Sequence, residues 1–592
     1  MNIFGFLKNE EIREYIAYSI WHPLGFLRFQ ENARIEYWKN TITTNDGYER
    51  LEGRRFFRPI KFAEFTRVKD EYGKERDLHF RLAGKIVNID LENVEWDCTF
   101  ADPEDVAAYH RFMWLYRYVF DVADEYGRNE KDCLLDTVIR IIHSWIDEVE
   151  TRKKESLHDE VWQTYTVSER VVNWIMTIGM LAQEPIEDEK ILTSIIHQAE
   201  YIQEHLEYFG EMLTGNHLTN DARAMYIVGT VLGVEKYCNL GRIIIKNEYE
   251  RLVFNPGFLR EGSSHYQLLF TKWYFDLYQI ALQFDDIEFA GWLEQKLSNL
   301  TICAKFFLYR DSCGQWDMPF FGDISPDHPP KWIMGIPEAI KRIINTEQNN
   351  IDFTNEEWGR IEKEGYLIHS RVFANLFPNN APGHFHRDSG SFTLAFRGKK
   401  VIVDSGRKDY SCEGYSTFQK SSNGHNAVIV DGKISEITMR RFYSTKYLKK
   451  TIGEKPKIKC DDEAIEIVQK PGRRLKGVSS IKRKIMVDHG EMIIIDSVEG
   501  EGIHEVEFPL HIHPDFKLKK YGEEICAESD NVHINISCSL DSAYISCVED
   551  DKKICSYSEE YGDDRVCKVI LFKKKTELPF TIETRIKAEE IL

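Results

Sequence analysis

One short stretch of the chain concentrates imidazole and carboxylate side chains. The segment APGHFHRDSGSFTLAFRGKKVIVDSG carries His384, His386 and Asp388 within five positions, and Asp404 ends the apolar strand that follows. In an extended strand, side chains at positions i and i+2 point to the same face, so the two histidines could face one cavity. His425 begins another apolar strand, HNAVIVD. Two imidazoles and a carboxylate suit Zn, Mn or a similar ion, and this reading is favoured over local hydrogen bonds at strand ends.

A second candidate lies in TGNHLTNDARA, where Asn216 and His217 come just before a predicted helix. A helix start offers unpaired N–H groups and a positive potential, which suits a carboxylate ligand, and an asparagine side chain can add a donor. The alternative is ordinary helix capping by Thr219, Asn220 or Asp221.

A third candidate, NPGFLREGSSHYQ, is a turn that leads into a strongly apolar helix. It places Arg260, Glu261, His265 and Tyr266 at the helix start. Taken in isolation, a tyrosine here is best explained as a core residue whose hydroxyl reaches water.

Two helical stretches pair arginines with aromatic residues. AAYHRFMWLYRY contains His110, Arg111 and Trp114, and SERVVNWI contains Arg170 and Trp174. Arginine binds carboxylate or sulfate in a bidentate manner, and tryptophan stacks on sugar rings, so these residues are candidates for substrate binding. Ordinary charges on a helix face explain them equally well.

The spacing of apolar residues, which predicts the elements that position these side chains, changes along the chain. Residues 1–100 form a lead-in segment with a predicted strand pair near HFRLAGKIVNIDLENVEW. Residues 101–350 show apolar side chains at helical spacing in many segments of similar length, which predicts helical hairpins in an (α/α) toroid. After a polar linker, apolar and polar residues alternate with period two over residues 365–592, which predicts an antiparallel β-sandwich.

Composition excludes some functional classes. The chain has 592 residues and a net charge of −20, from 77 Lys and Arg against 97 Asp and Glu, which argues against a nucleic-acid partner. It contains no apolar run long enough to span a membrane. Its first residues show no signal peptide, so we expect a cytoplasmic protein, or a secreted or periplasmic one from which a leader was removed. The twelve cysteines form no metal or disulfide framework, which predicts reduced thiols. Oligomeric state is left open.

Taken together, these stretches resemble the heparinase II/III-like polysaccharide lyases. The resemblance rests on GHFHRD, VDSG and HNA, with further matches at GNH and EGSSHY. It implies an (α/α) toroid followed by a β-sandwich that completes the active site. It also implies that Asn216, assisted by His217, neutralises a uronate carboxylate, and that Tyr266 and His384 form the acid/base pair.

The same resemblance implies that His386, Asp404 and His425 hold a divalent metal of structural importance, with Asp388 in a supporting role. It also assigns His110, Arg111, Arg170, Trp174, Glu261 and His265 to the substrate site. The chain departs from the family pattern at Gln267, where the family often has a histidine after the tyrosine. His265 precedes the tyrosine instead, and what it would do within the substrate site is left open.

The implied reaction is β-elimination at a 4-linked uronate. Glycosaminoglycans (heparan sulfate, hyaluronan or chondroitin sulfate) are the favoured substrates, and alginate is the alternative. A base removes the C5 proton, an acid protonates the leaving O4, and a donor to the carboxylate stabilises the enolate that develops. A tyrosine base would need a lowered pKa. Two other classes stay open: a non-catalytic glycan-binding protein, and a toroid glycoside hydrolase with Glu261 and Asp323 as its carboxyl pair.

Overall fold

The structure is a computed structural model of the whole chain. It describes residues 12, 14–16, 56–64, 79–97, 99–152, 157–209, 214–344, 357–373, 383–411, 418–437, 443–522, 524–540, 556–563 and 565–591. Much of the lead-in segment predicted for residues 1–100 therefore lies outside the described residues. The strand pair predicted within it is confirmed as β1 (His79–Arg81) and β2 (Ile86–Asn88), which are antiparallel.

The first half of the chain is helical. Its α-helices are α1 (Pro103–His110), α2 (Met113–Val122), α3 (Arg128–Trp145), α4 (Thr164–Leu181), α5 (Glu189–Glu204), α6 (His217–Leu232), α7 (Glu235–Leu252), α8 (Ser264–Gln283), α9 (Ile287–Phe307), α10 (Pro330–Ile333) and α11 (Ile336–Ile343). Two short hairpins interrupt them: β3 (Val253–Phe254) with β4 (Phe258–Leu259), and β5 (Tyr309–Arg310) with β6 (Trp316–Asp317).

The longer helices alternate between two burial patterns. Helices α4, α6 and α8 are buried around almost their whole circumference, whereas α3, α5, α7 and α9 bury one face. A helix buried on all sides belongs to an inner layer, and one with a single apolar face belongs to an outer layer. This alternation along the chain gives the double-layered (α/α) toroid that the helical spacing predicts. No helix of the described residues is long and apolar enough to cross a membrane.

The second half is the predicted antiparallel sandwich. Its strands are β7 (Trp358–Lys363), β8 (Tyr366–Arg371), β9 (Phe392–Phe396), β10 (Lys399–Ile402), β11 (Ile429–Val430), β12 (Lys457–Cys460), β13 (Ala464–Gln469), β14 (Val478–Asp488), β15 (Glu491–Gly500), β16 (Ile503–Ile512), β17 (Lys517–Tyr521), β18 (Glu524–Glu528), β19 (Val532–Cys538), β20 (Ser556–Tyr557), β21 (Arg565–Val566), β22 (Lys568–Glu577) and β23 (Phe580–Glu590). One further helix, α12 (Thr445–Ile452), lies between β11 and β12.

Two sheets make up the sandwich. One has the order β11-β16-β10-β9-β8-β7, with β22 also paired to β16, and the other has the order β12-β13-β14-β15-β23-β19-β18-β17. Strands such as β13 and β14 alternate buried and exposed residues, so their apolar faces meet in a shared core. The connections between strands of the first sheet carry the histidine-rich segment, which places that segment at the edge facing the toroid.

Direct hydrogen bonds join the sandwich to the start of α8. Arg371 donates from Nη1 to the Gly262 carbonyl at 3.0 Å, and the Asp323 N–H donates to the His384 carbonyl at 2.7 Å. Gly322 has φ +73°, and a Cβ there would lie 2.5 Å from the His384 oxygen. Only glycine tolerates both that backbone conformation and that approach. The histidine segment is therefore held directly over the helix that carries Tyr266.

Candidate active site and metal centre

Tyr266 sits in the first turn of α8. The Ser263 hydroxyl caps this helix by accepting a hydrogen bond from the Tyr266 N–H at 3.1 Å, which fixes the direction of the tyrosine. The Tyr266 ring stacks on the His384 imidazole, with centroids 3.6 Å apart. Its hydroxyl lies 2.5 Å from the hydroxyl of Tyr410, a residue from the sandwich. The toroid and the sandwich thus each supply part of one cluster.

Tyr266 is a neutral phenol in this environment. Burial raises its pKa well above the ordinary value, and the nearby Asp327 carboxylate raises it further. A tyrosine that acts as the base would need a lowered pKa. The observed environment favours the opposite role, because a phenol that keeps its proton can donate it to a leaving oxygen.

Asp323 orients the imidazole of His384. Its Oδ2 lies 3.1 Å from Nδ1 of His384, while Nε2 of the same ring is 3.8 Å from the Glu261 carboxylate. Burial opposes the charge on Asp323, but Lys420 and the hydrogen bonds from the histidines hold its pKa well below the usual range. A charged carboxylate at Nδ1 favours the tautomer with hydrogen on Nδ1, which leaves the lone pair on Nε2.

The second oxygen of Asp323 reaches the other histidine of the segment. Its Oδ1 lies 2.8 Å from Nε2 of His386. One carboxylate therefore joins the candidate acid/base residue to the candidate metal ligand. Lys420 and Arg407 lie 3.3 and 3.7 Å from this carboxylate and balance its charge.

His386, Asp404 and His425 converge in a buried group. One potential ligand atom from each lies within 4.8 Å of the others. The Nδ1 atom of His386, Oδ1 of Asp404 and Nε2 of His425 are buried without a hydrogen-bond partner. The remaining atoms are satisfied, since His425 Nδ1 lies 2.8 Å from Asp404 Oδ2 and His386 Nε2 contacts Asp323.

Three buried polar atoms without partners in one group of side chains are unfavourable unless a further group, such as an ion, satisfies them. The hydrogen bonds on the opposite atoms are the kind that orient metal ligands. The residues present therefore fit a divalent cation, and the group can bind a metal.

Asn216 immediately precedes α6, and its side chain makes no capping hydrogen bond. It is almost fully buried, and within the described residues its side-chain amide has no hydrogen-bond partner, which leaves the amide available to a ligand. A Cβ on the preceding Gly215 would lie 3.0 Å from Oε1 of Glu261. Since the other oxygen of Glu261 faces His384, this glutamate links the asparagine turn to the Tyr266–His384 pair.

His217, the first residue of α6, is cationic. Burial opposes its charge, but Glu207 outweighs this and raises the pKa of His217 to about 9. The ion pair places Nδ1 of His217 3.1 Å from Oε1 of Glu207, and its ring lies against Tyr165, with centroids 4.6 Å apart. The Tyr165 hydroxyl in turn contacts Asp327 at 2.5 Å. A cation beside Asn216 suits an anionic ligand.

Three of the residues expected to bind substrate lie in the helical core instead. His110 accepts a hydrogen bond from Trp145 Nε1 at 3.1 Å, and burial lowers its pKa to about 3. Arg170 donates to Gln198 and to backbone carbonyls, and its guanidinium lies 4.2 Å from the Trp145 ring. Trp174 packs edge-on against the same tryptophan. These contacts hold the layers of the toroid together and leave no face of these residues for a sugar.

The other expected substrate residues also have defined partners. Arg111 pairs with Asp327 at 2.9 Å and lies over the Tyr165 ring, which makes it a support for the site. His265 is buried and accepts a hydrogen bond from the Ser325 N–H, so it holds the loop that carries Asp323. Asp388, assigned a supporting role, pairs with Arg371 at 3.2 Å.

Sequence reasoning missed Tyr410 and Lys420 as members of this cluster. Neither belongs to a motif: Tyr410 lies in an irregular segment after β10, and Lys420 lies in a turn directly after the helical residues 418–419. Asp323 was considered only as half of a hydrolase pair with Glu261. In the structure both carboxylates contact the same imidazole, and Asp323 is fully engaged by two histidines, so they do not flank a space for a sugar.

Each half of the chain matches a known protein family. Residues 68–327 match the family described as Heparinase II/III N-terminus, and residues 362–583 match Heparinase II/III-like, C-terminal. No curated protein matches the chain in sequence.

Solved structures that share the fold include the following three. A heparan sulfate lyase HepC from Pedobacter heparinus has a TM-score of 0.54 at 14% identity, covering 95% of this chain and 88% of that one. A heparinase III (BT4657 gene product) has a TM-score of 0.55 at 15% identity, covering 84% and 81%. Another heparinase III has a TM-score of 0.58 at 14% identity, covering 84% and 79%.

Proposed function

The chain belongs to the heparinase II/III-like family of polysaccharide lyases, and we propose that it cleaves glycosaminoglycans at 4-linked uronates by β-elimination. The proposal for the substrate class is supported by the similar structures, which are described as heparan sulfate lyase and heparinase III. Lys420 beside Asp323 and the cationic His217 also suit an anionic glycan.

The observation that carries the proposal is the stack of His384 on Tyr266 close to the asparagine turn. In the proposed reaction, Asn216 and the cationic His217 bind the uronate carboxylate and stabilise the enolate that forms when C5 loses its proton. Nε2 of His384 takes that proton, because its Nδ1 is engaged by Asp323. The C4–O4 bond then breaks, the C4=C5 double bond forms, and the Tyr266 phenol donates its proton to O4.

Tyr410 completes the proton-transfer group in this proposal. Its hydroxyl lies 2.5 Å from that of Tyr266 and 3.3 Å from the Ile324 carbonyl. It can therefore pass its own proton to Tyr266 once Tyr266 has donated, or hold the phenol in the donating direction.

The divalent ion in this proposal is Zn or Mn, bound by His386, Asp404 and His425. When bound, it would supply the positive charge that holds these three side chains in place. His386, held in this way, would present Nε2 to Asp323 and so keep that carboxylate in place beside His384.

The proposed activity is tested with a panel of heparan sulfate, hyaluronan, chondroitin sulfate and alginate. We expect the ultraviolet absorbance of a conjugated unsaturated uronate to rise with at least one glycosaminoglycan and not with alginate. New reducing ends without that absorbance would indicate hydrolysis. Absorbance with alginate alone would make the protein an alginate lyase. Binding without any cleavage would favour a glycan-binding protein. The Tyr266→Phe protein serves as the matched inactive control.

A further inference from the structure

A line of basic side chains leads away from the candidate active site over the sandwich. It consists of Lys420, Arg387, Arg474 and Arg473, and we call it the basic track. It begins at Asp323, where Lys420 Nζ is 3.3 Å from Oδ2. Such a concentration of cations is notable on a chain with a net charge of −20.

Arg387 and Arg474 are each fixed through a single guanidinium nitrogen. Arg387 donates from Nε to the Lys420 carbonyl at 3.2 Å, and Arg474 donates from Nε to the Ile434 carbonyl at 2.8 Å. Within the described residues, neither forms an ion pair with a carboxylate. The terminal NH₂ groups of both side chains, which are the ones that bind oxyanions in a bidentate manner, are therefore available.

Holding these two cations together costs free energy in the absence of an anion. Burial lowers the pKa of Arg474, and the charge on Arg387 lowers it further. The carboxyl group that faces both is Glu436, which is buried and bound to the Ser389 N–H. Burial and the charge of Asp388 raise the pKa of Glu436 to about 8. Within the described residues this carboxyl group forms no ion pair with either arginine.

The far end of the track adds aromatic faces. The Arg473 guanidinium lies 5.0 Å from the Tyr447 ring centroid and donates to the Thr451 hydroxyl, which holds it on α12. Tyr447 stacks on Tyr443, with centroids 4.7 Å apart. Cations beside aromatic rings suit a ligand that carries anionic groups on sugar rings.

We propose that the basic track is an extended subsite that binds sulfate groups of the glycan on one side of the cleaved uronate. The inference rests on the proposed function, because it takes the substrate to be a glycosaminoglycan. Arg387 adjoins His386 and contacts the segment that carries Lys420, so the subsite continues directly from the reacting sugar. Lys420 and Arg387 bind the sulfates nearest the cleavage point, and Arg474 and Arg473 bind those further along.

The test is binding of a heparan sulfate oligosaccharide to Tyr266→Phe protein, with and without Arg387→Gln and Arg474→Gln, at several salt concentrations. Removing two cations that contact a polyanion should weaken binding about tenfold and reduce the slope of log affinity against log salt by about two. A chemically desulfated oligosaccharide should bind both proteins equally. A matched control is Lys482→Gln with Lys484→Gln on β14, which removes two exposed cations elsewhere.

Unchanged affinity and slope in the double variant would overturn the inference, as would an equal loss with the desulfated ligand. Should the glutamine variant not fold, as judged by circular dichroism, Arg387→Lys with Arg474→Lys provides the second measurement. It keeps the charge but not the bidentate geometry, so the salt slope should be retained while affinity falls. Binding needs no turnover, so this result is independent of whether the panel of polysaccharides yields an unsaturated product.

Discussion

The imidazole ring of His384 lies flat against the phenol ring of Tyr266, with centroids 3.6 Å apart and planes inclined by 11°. A sugar between two aromatic faces needs about 7 Å, the sum of two van der Waals contacts. In this arrangement the two residues therefore approach the substrate from one side, which suits elimination of a proton and a leaving oxygen that lie on the same face.

This relationship predicts a preference between the two uronates. In glucuronate the C5 proton and O4 lie on the same side, and in iduronate they lie on opposite sides. We expect kcat/KM to be higher for glucuronate-rich chains than for iduronate-rich chains of matched sulfation, measured from the initial rate of unsaturated product. Faster cleavage of the iduronate-rich chains would mean that the stack opens to admit the sugar between the rings.

Replacing Tyr266 by phenylalanine should remove the proton donor. We expect kcat to fall by about 10²- to 10⁴-fold, the usual contribution of a positioned acid or base, with little change in melting temperature. The measurement is steady-state kinetics on the preferred glycan together with thermal unfolding. Tyr278→Phe on the same helix removes a hydroxyl outside the cluster and should leave kcat unchanged. Full activity in Tyr266→Phe would exclude it as the acid.

The Asp323→Asn variant tests whether one carboxylate orients both His384 and His386. The amide cannot accept both imidazole N–H groups as a charged carboxylate does, so His384 should lose its orientation and His386 a supporting partner. We expect kcat to fall, and metal affinity to drop by about 10- to 100-fold. Elemental analysis after dialysis and the pH profile of kcat give the two measurements. Loss of activity with unaltered metal affinity would leave Asp323 as a partner of His384 alone.

The architecture could be predicted from the sequence because the period of apolar residues changes from helical to alternating once along the chain. The sequence also predicts separate roles for the two histidines of the segment, and the structure gives the two side chains separate neighbours. His384 faces Tyr266, and two positions further on His386 joins Asp404 and His425. Both imidazoles contact the Asp323 carboxylate, as alternation along an extended segment predicts. Their other ring nitrogens face different groups, because His384 Nε2 lies near Glu261 and His386 Nδ1 has no hydrogen-bond partner.

Other features were beyond sequence reasoning for a physical reason. In a two-layered toroid the inner helices are buried on all sides, so polar residues such as His110 and Arg170 can be satisfied in the core. Helical spacing alone does not distinguish that position from the wall of a cleft. Tyr410 lies in an irregular segment and reaches Tyr266 across 144 positions of sequence, a contact that only the folded chain defines.

Removing the metal should destabilise the sandwich. A ligand that binds only the folded state stabilises it, by about 2.7 kcal/mol when present at 100 times its Kd. We expect elemental analysis to find a divalent ion, and we expect a chelator to lower the melting temperature reversibly. His425→Gln should melt at a lower temperature and be insensitive to the chelator. A protein without metal whose melting is unaffected by chelation would rule out the site.

The ion pair between His217 and Glu207 predicts a stability that depends on pH. The pKa of His217 is raised from its ordinary value of 6.5 to about 9 in the folded protein, so the folded state binds the extra proton. Its contribution is therefore complete below pH 6.5 and is lost as the pH rises through about 9. In Glu207→Gln the raised pKa disappears. The difference in unfolding free energy between wild type and this variant should then be largest near pH 6 and vanish near pH 10, as measured by urea unfolding. Glu200→Gln, an exposed change on α5, should show no such dependence. A constant difference across this range would show that His217 is neutral in the folded protein.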